Sequence, residues 1–304
     1  MTFYHYVSIS RTQSTTEYLP WFAQGATHGV PRARNPFARE TPSPSMDADP
    51  TIADREWRLI REESRPGPMQ MALDEVAAET AAAGGPRTVR LYRWEPSCLS
   101  LGYHQDPDTV DWAWCSEEGV DVTRRPTGGG GIYHDSEGDV SYSITAPRAE
   151  LPGDLMDCYH RLLAPVLAAF SRVDVPVEFV GREAPALYEP ACYLRALNPA
   201  HDLVVAGDGR KVSGNAQHRQ RDAVVQHGSV TYSVVADRHL AAFTDPGLSA
   251  AAFGERVTGV DEHTDASRET VVAAFEAALA AWCDADEGSW TDDELTRARD
   301  LVDE

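Results

Sequence analysis

Asp202-Leu-Val-Val-Ala206, Arg210-Lys-Val-Ser-Gly-Asn-Ala-Gln217 and Ala223-Val-Val-Gln-His-Gly-Ser-Val-Thr-Tyr-Ser-Val-Val235 follow one another with only short polar or glycine-rich breaks between them. Each run is rich in valine and bounded by turn formers, which predicts consecutive strands. Strands joined by such short turns run antiparallel, because a parallel neighbour needs a long crossover. Upstream, 139–145 alternates cleanly, and 88–94 and 98–101 predict strands around a Glu95-Pro96 turn. Further strands are expected near 177–180 and just before Arg124. Helical spacing marks Met69, Met71, Ala72, Val76 and Ala77 (a helix over about 68–83, stopped by Gly84-Gly85-Pro86) and then Leu155, Tyr159, Leu162, Leu163, Val166, Leu167 and Phe170. Later helices are expected over about 237–244 and 268–283. Strands and helices do not alternate strictly, so the expected fold class is α+β, a mixed, largely antiparallel sheet flanked by helices.

The ends of the chain differ from this middle. Residues 1–45 carry 4 arginines against 2 acids, whereas residues 46–304 carry 23 basic and 46 acidic residues. With prolines at 31, 36, 42 and 44 and no period, residues 1–45 are expected to be disordered, or an over-extended start with Met46 the natural first residue. Residues 46–283 form the expected main folded domain, and 284–304 a short acidic C-terminal helix or tail. No run approaches the roughly 20 apolar residues of a membrane helix and no leader opens the chain, so a soluble, cytoplasmic protein with no membrane partner is expected. A net charge of −21 speaks against nucleic acid as a partner. It fits an acidic surface kept soluble at high salt. The five cysteines are scattered, with no C-x-x-C pair, so neither a disulfide framework nor a metal site is expected.

Chemistry concentrates in two places. Arg124-Arg-Pro-Thr-Gly-Gly-Gly-Gly-Ile-Tyr-His-Asp135 holds four consecutive glycines, which cost backbone entropy unless the backbone must approach a ligand closely. No Lys-Ser/Thr follows, so this is not a Walker loop. The second place is the strand at 210–217. Of the 27 basic residues only one, Lys211, is a lysine. A compact ammonium kept in a chain that otherwise uses arginine points to a site where the larger, planar guanidinium does not serve. Strand alternation puts Lys211, Ser213 and Asn215 on one side.

Met71-Ala-Leu-Asp-Glu75, the glycine run with its flanking Arg-Arg and Tyr-His-Asp, and Gly209-Arg-Lys-Val-Ser-Gly-Asn-Ala-Gln217 together resemble the lipoate–protein ligase A and octanoyltransferase family. The resemblance spans about residues 57–283 and implies the biotin/lipoate ligase catalytic-domain fold with a bent tunnel for an octanoyl-length chain. The Gly-Arg-Gly-Arg-type loop of biotin ligases is absent. Carried over, Arg125, Thr127 and Gly128, Gly129, Gly130 and Gly131 line an acyl and adenylate pocket that His134 and Asp135 close. Lys211 contacts the acyl carbonyl, with Ser213, Gly214, Asn215 and Ala216 beside the acyl group. The implied acceptors are lipoyl carrier domains such as those of 2-oxoacid dehydrogenase E2 and the glycine cleavage H protein.

Two mechanisms follow from the resemblance. A lipoate–protein ligase activates free lipoate with ATP and Mg2+, with Gly128–Gly131 as the phosphate cradle; since little sequence follows Cys283, this reading calls for a separate accessory chain. An octanoyltransferase needs no ATP and takes octanoate from an acyl-carrier protein through a cysteine thioester, for which Cys192, 19 residues before Lys211, is the candidate. Gly130 and the Asp202 run resemble ligases, so the ligase ranks first and the transferase is the alternative, with a catalytically idle acyl-binding module a remote third.

Overall fold

The consecutive strands do pair, and the computed structural model, which describes residues 50–198 and 201–303, places them inside a larger sheet. In chain order the strands are β1 (Trp57–Arg65), β2 (Arg87–Trp94), β3 (Cys98–Leu101), β4 (Asp121–Arg124), β5 (Ile132–His134), β6 (Asp139–Pro147), β7 (Val177–Phe179), β8 (Leu203–Val205), β9 (Lys211–Arg219), β10 (Ala223–Thr231) and β11 (Asp286–Glu287). The helices are α1 (Pro50–Ala53), α2 (Gly67–Ala82), α3 (Trp112–Glu117), α4 (Leu155–Arg172), α5 (Ala236–Ala241), α6 (Ala250–Gly254), α7 (Arg268–Cys283) and α8 (Asp292–Asp303). The large sheet has the order β11-β1-β2-β6-β10-β9-β8-β7. Strand β1 runs parallel to β2 and β11, and the remaining pairs are antiparallel, as expected for a mixed α+β sheet. A small second sheet has β3 between β4 and β5. The expectations for residues 1–45 and for a start at Met46 fall outside the described residues.

Alternation decides which helices cover which face. On β1, Leu59 joins the main core with α4 and α7, while its neighbour Ile60 packs with α2 and α8. On β2 and β6, Val89, Leu91, Val140, Tyr142 and Ile144 face that main core. The rings of Phe170 and Phe275 meet edge-on across α4 and α7 at 5.2 Å. Helix α4 starts where Asp154 accepts the Met156 and Asp157 N–H groups, and α7 where Ser267 accepts that of Thr270. The other face of the central strands carries polar residues, among them Arg90, Ser141, Ser143 and Ser229, and these are buried too. Among the described residues no helix is long and apolar enough to cross a membrane.

Strand β1 was not foreseen, because Arg58, Arg61, Glu62, Glu63 and Arg65 hide its period. Arg58 is nevertheless buried, its guanidinium donating to both Glu294 oxygens at 2.9 and 2.6 Å, which ties α8 to the sheet. Burial alone would raise the Glu294 pKa, but hydrogen bonds from Arg58, the Thr291 N–H and Thr80 hold it down at about 2. A carboxyl lowered in the folded state stabilises it above its ordinary value of 4.5, and that contribution disappears as pH falls toward about 2. Glu294→Gln should therefore lower the melting temperature at neutral pH and flatten the loss of stability over that acid window. Equal melting of the two proteins at pH 7 would show that the pair contributes nothing.

Candidate active site

A bulge in β9 sets the site. Ser213 pairs with Leu203, but Lys211 pairs with Val204, which leaves Val212 without a partner of its own. One extra residue reverses the alternation beyond it and re-aims the side chain. Leu203 faces the main core, whereas Val204 packs with Val180 and Leu197 on the opposite face. Lys211 therefore parts from Ser213 and Asn215, which corrects the expectation that the three share one side. Its amine lies beside Gly214, where a Cβ would fall 3.2 Å from both Cε and Nζ. Glycine at 214 leaves the room the ammonium occupies.

Lys211, Cys192, Arg125, Thr127, Gly128, Gly129, His134, Gly214, Asn215 and Ala216 line one cavity of about 440 Å3. Lys211 is 3% exposed, and its Nζ lies 2.7 Å from Asp202 Oδ1 and 5.2 Å from the centre of the Tyr193 ring. Burial pulls the Lys211 pKa down, but the Asp202 carboxylate, helped by Cys192, outweighs it and the net direction is up. Burial likewise works to raise Asp202, and Lys211 and His201 reverse it, holding the carboxyl below its ordinary value. The pair is ionised at neutral pH.

Arg125 is buried and donates from Nη2 to the carbonyls of Gly128 (2.9 Å) and Gly130 (2.7 Å), from Nη1 to that of Ser100 (2.8 Å) and from Nε to Thr127 Oγ1 (3.1 Å). It was expected to contact the ligand, but these bonds engage it in holding the glycine loop. Thr127 Oγ1, which accepts from Arg125 Nε, also pairs with His227 Nε2 at 2.8 Å. His227 Nδ1 in turn faces Asp74 Oδ2 at 3.4 Å. Burial would raise the Asp74 pKa, but Arg90 and His227 hold it at about 2. Asp74 and His227 stand in stretches that the sequence singled out without giving them roles. The tertiary structure joins them into one chain behind the loop.

The four glycines serve different ends. Gly129 has φ +96°, a conformation strained for other residues. A Cβ at Gly130 would lie 2.5 Å from Pro190 O and 2.8 Å from the Cys192 nitrogen. At Gly131 it would meet Phe243 at 2.9 Å. Gly131 O also accepts the Cys192 N–H at 2.8 Å. Gly130 and Gly131 therefore seat the Cys192 segment against the loop and do not line the cavity, contrary to the expected phosphate cradle. Only Gly128 of the four has open space around it, with nothing within 4 Å.

His134 stacks on Trp94 at 4.2 Å, its ring nitrogens bridging Asp139 Oδ2 (2.7 Å) and Ser100 Oγ (2.9 Å). Burial lowers its pKa despite Asp139, so the imidazole is neutral at pH 7. Trp94, Tyr92 and Met71, none of them foreseen as site residues, form an apolar wall of the cavity. Asp135 does not close the cavity. It accepts the Glu137 and Gly138 N–H groups and the Tyr133 hydroxyl in a turn. Ser213 also lies outside, and Asn215 is held by His201 O and Tyr142.

Four cysteines are buried, and burial raises their thiol pKa values, Cys115 to about 11 and Cys283 to about 12. Cys192 alone of the five is half-exposed, and it faces the cavity. A Cβ on Gly129 would fall 3.0 Å from Arg125 Nη2 and 4.0 Å from Cys192 Sγ, so sulfur and guanidinium flank the same glycine. Cys192 also acts on the charge of Lys211. The cavity thus combines a reachable thiol, two buried cations and an apolar wall, a set suited to holding an acyl group as a thioester.

Residues 66–281 match the lipoyl protein ligase A/B catalytic domain family. Octanoyltransferase LipM of Symbiobacterium thermophilum is 36% identical over 186 residues, 59% of this chain and 66% of that protein, so the match spans just under two thirds of its length. Octanoyltransferase LipM of Halalkalibacterium halodurans is 32% identical over 62% of this chain and 71% of that one. A lipoate-protein ligase A bound with ATP superposes with a TM-score of 0.67 at 23% identity, over 82% of this chain and 94% of that one. A bipartite lipoate protein ligase from Thermoplasma acidophilum gives 0.67 at 23%, over 82% and 92%. These structures share the fold. The relatives nearer in sequence carry the octanoyltransferase name, which overturns the ranking of an ATP-dependent ligase, with ATP and Mg2+, ahead of its alternative. The two features that favoured the ligase have local causes instead. Gly130 makes way for the Cys192 segment, and Asp202 pairs with Lys211.

Proposed function

Because the chain belongs to the lipoyl protein ligase A/B catalytic domain family, we propose that it is a cysteine-dependent octanoyltransferase that moves octanoate from an acyl-carrier protein to the lysine of a lipoyl carrier domain. The observation that carries this reading is Cys192, the one half-exposed cysteine, lining the cavity that also holds Lys211. In the first step the Cys192 thiolate attacks the carbonyl carbon of the carrier thioester. A new C–S bond forms, the old one breaks, and the carrier thiolate leaves and takes up the proton that Cys192 gave. In the second step the acceptor amine attacks the acyl-Cys192 carbonyl, an amide forms, and the Cys192 thiolate leaves while the amine proton passes to solvent. The Lys211 ammonium, in the same cavity as the thiol, balances the negative charge that develops on the carbonyl oxygen in both steps. E2-type lipoyl domains and glycine cleavage H protein are the acceptors to try.

Incubation with octanoyl-carrier thioester, without ATP or an acceptor, should add one octanoyl group that peptide mapping places on Cys192 and hydroxylamine removes. An unlabelled protein under those conditions would sink the transferase reading. The glycine loop gives a second check. Gly130→Ala pushes the Cys192 segment away, and a misplacement of ~1 Å costs on the order of 100-fold in rate. The initial rate of Cys192 acylation should fall accordingly. Gly128→Ala should melt like the wild type, since its Cβ meets open space. Unchanged acylation in Gly130→Ala would mean that the contact does not place the thiol.

A further inference from the structure

An enzyme that holds an acyl thioester beside a lysine faces a hazard of its own making. The amine of Lys211 shares the cavity with Cys192, and attack by it on the acyl-Cys192 carbonyl would form a C–N bond and break the C–S bond. The thiolate would leave and take the amine proton. The product is a stable amide on Lys211, and a dead enzyme. Only a neutral amine has the lone pair for that attack.

We propose that Asp202 is the residue that prevents self-acylation, holding Lys211 as a non-nucleophilic ammonium throughout the life of the acyl-enzyme. Its Oδ1 lies 2.7 Å from Lys211 Nζ with both side chains 3% exposed, while Oδ2 is fixed by the Asn198 N–H at 2.7 Å. The other groups that act most on the Lys211 charge, Arg256 and Cys192, do not take over this role. Arg256 pushes the proton off, as does burial itself. Cys192 favours the proton only as a thiolate, and it loses that charge once it carries the acyl group. Asp202 is thus the group left to retain the proton at the moment when a free amine is harmful. A buried lysine stripped of its counter-ion sheds the proton rather than remain charged. The wider chain is consistent with the same hazard, for no second lysine is present to capture the acyl group.

The inference rests on the thioester reading, and one experiment separates the two. Wild-type protein, Asp202→Asn and Asp202→Glu are each incubated with octanoyl-carrier thioester and mapped with and without hydroxylamine. The wild type should carry only a labile adduct on Cys192. Asp202→Asn should accumulate a hydroxylamine-stable octanoyl group on the Lys211 peptide, with loss of transfer activity tracking its growth. Asp202→Glu, which keeps the charge, should restore protection, an outcome that a purely structural role for Asp202 would not produce. Asp202→Ser is the second charge-removing variant should the amide fail to fold. A labile Cys192 adduct alone in the charge-removed variants overturns the inference and leaves the transferase intact. Absence of any adduct in the wild type removes both.

Discussion

Cys192→Ser should lose octanoyl transfer by roughly 10⁴–10⁶-fold, the scale on which removal of a catalytic nucleophile is felt. A serine hydroxyl is far less acidic than a thiol, so almost none is ionised at neutral pH, and an alkoxide is a poorer leaving group in the second step. The substitution changes one atom on a half-exposed side chain, so the melting temperature should stay within about 1 °C, a shift of a few tenths of a kcal/mol. The adduct described above should vanish with it. Cys158→Ala is the matched control. That thiol is buried in the main core, so its loss should lower stability and leave transfer in place. Transfer within tenfold of wild type in Cys192→Ser would exclude a Cys192 thioester as the intermediate.

Lys211→Arg should lower kcat by 10²–10³-fold, or ~3–4 kcal/mol, the usual effect of deleting one preorganised contact to a developing oxyanion. Charge is preserved, so this variant tests geometry and not electrostatics alone. The space beside Gly214 is filled by the lysine Cε and Nζ, and a forked guanidinium must either displace Asp202 or withdraw from the carbonyl position. Lys211→Met is the less informative change. It leaves the buried Asp202 carboxylate without its counter-charge, which costs ~3–5 kcal/mol and confounds rate with unfolding. Normal turnover in a stably folded Lys211→Arg protein would show that the ammonium's compactness is irrelevant.

Much of this was legible in the sequence because it is written in local terms. Period-two alternation located β6, β9 and β10, and period 3.6 located α2, α4 and α7. A lone lysine and four glycines mark a site whatever surrounds them, since each is costly or rare without a reason. β1 escaped because its charged residues mask the alternation, and the buried one, Arg58, is neutralised by Glu294, a partner far along the chain. Asp135 and Ser213 were assigned to the site from their motifs. A motif does not record which way a side chain points.

By itself the sequence determined the α+β class through the spacing of its apolar residues and the family through its motifs, and it singled out Lys211 and Cys192 as candidates, because all of these are properties of the chain alone. Tertiary structure decided the rest. The bulge at Val212 exists only when β9 meets β8, and it is what turns Lys211 toward the cavity. Gly130 was ambiguous until the Cys192 segment was seen lying on it, and Asp202 had no role until its carboxylate stood 2.7 Å from the amine. Each is a contact between segments apart in the chain, and such contacts follow from packing rather than from any local pattern.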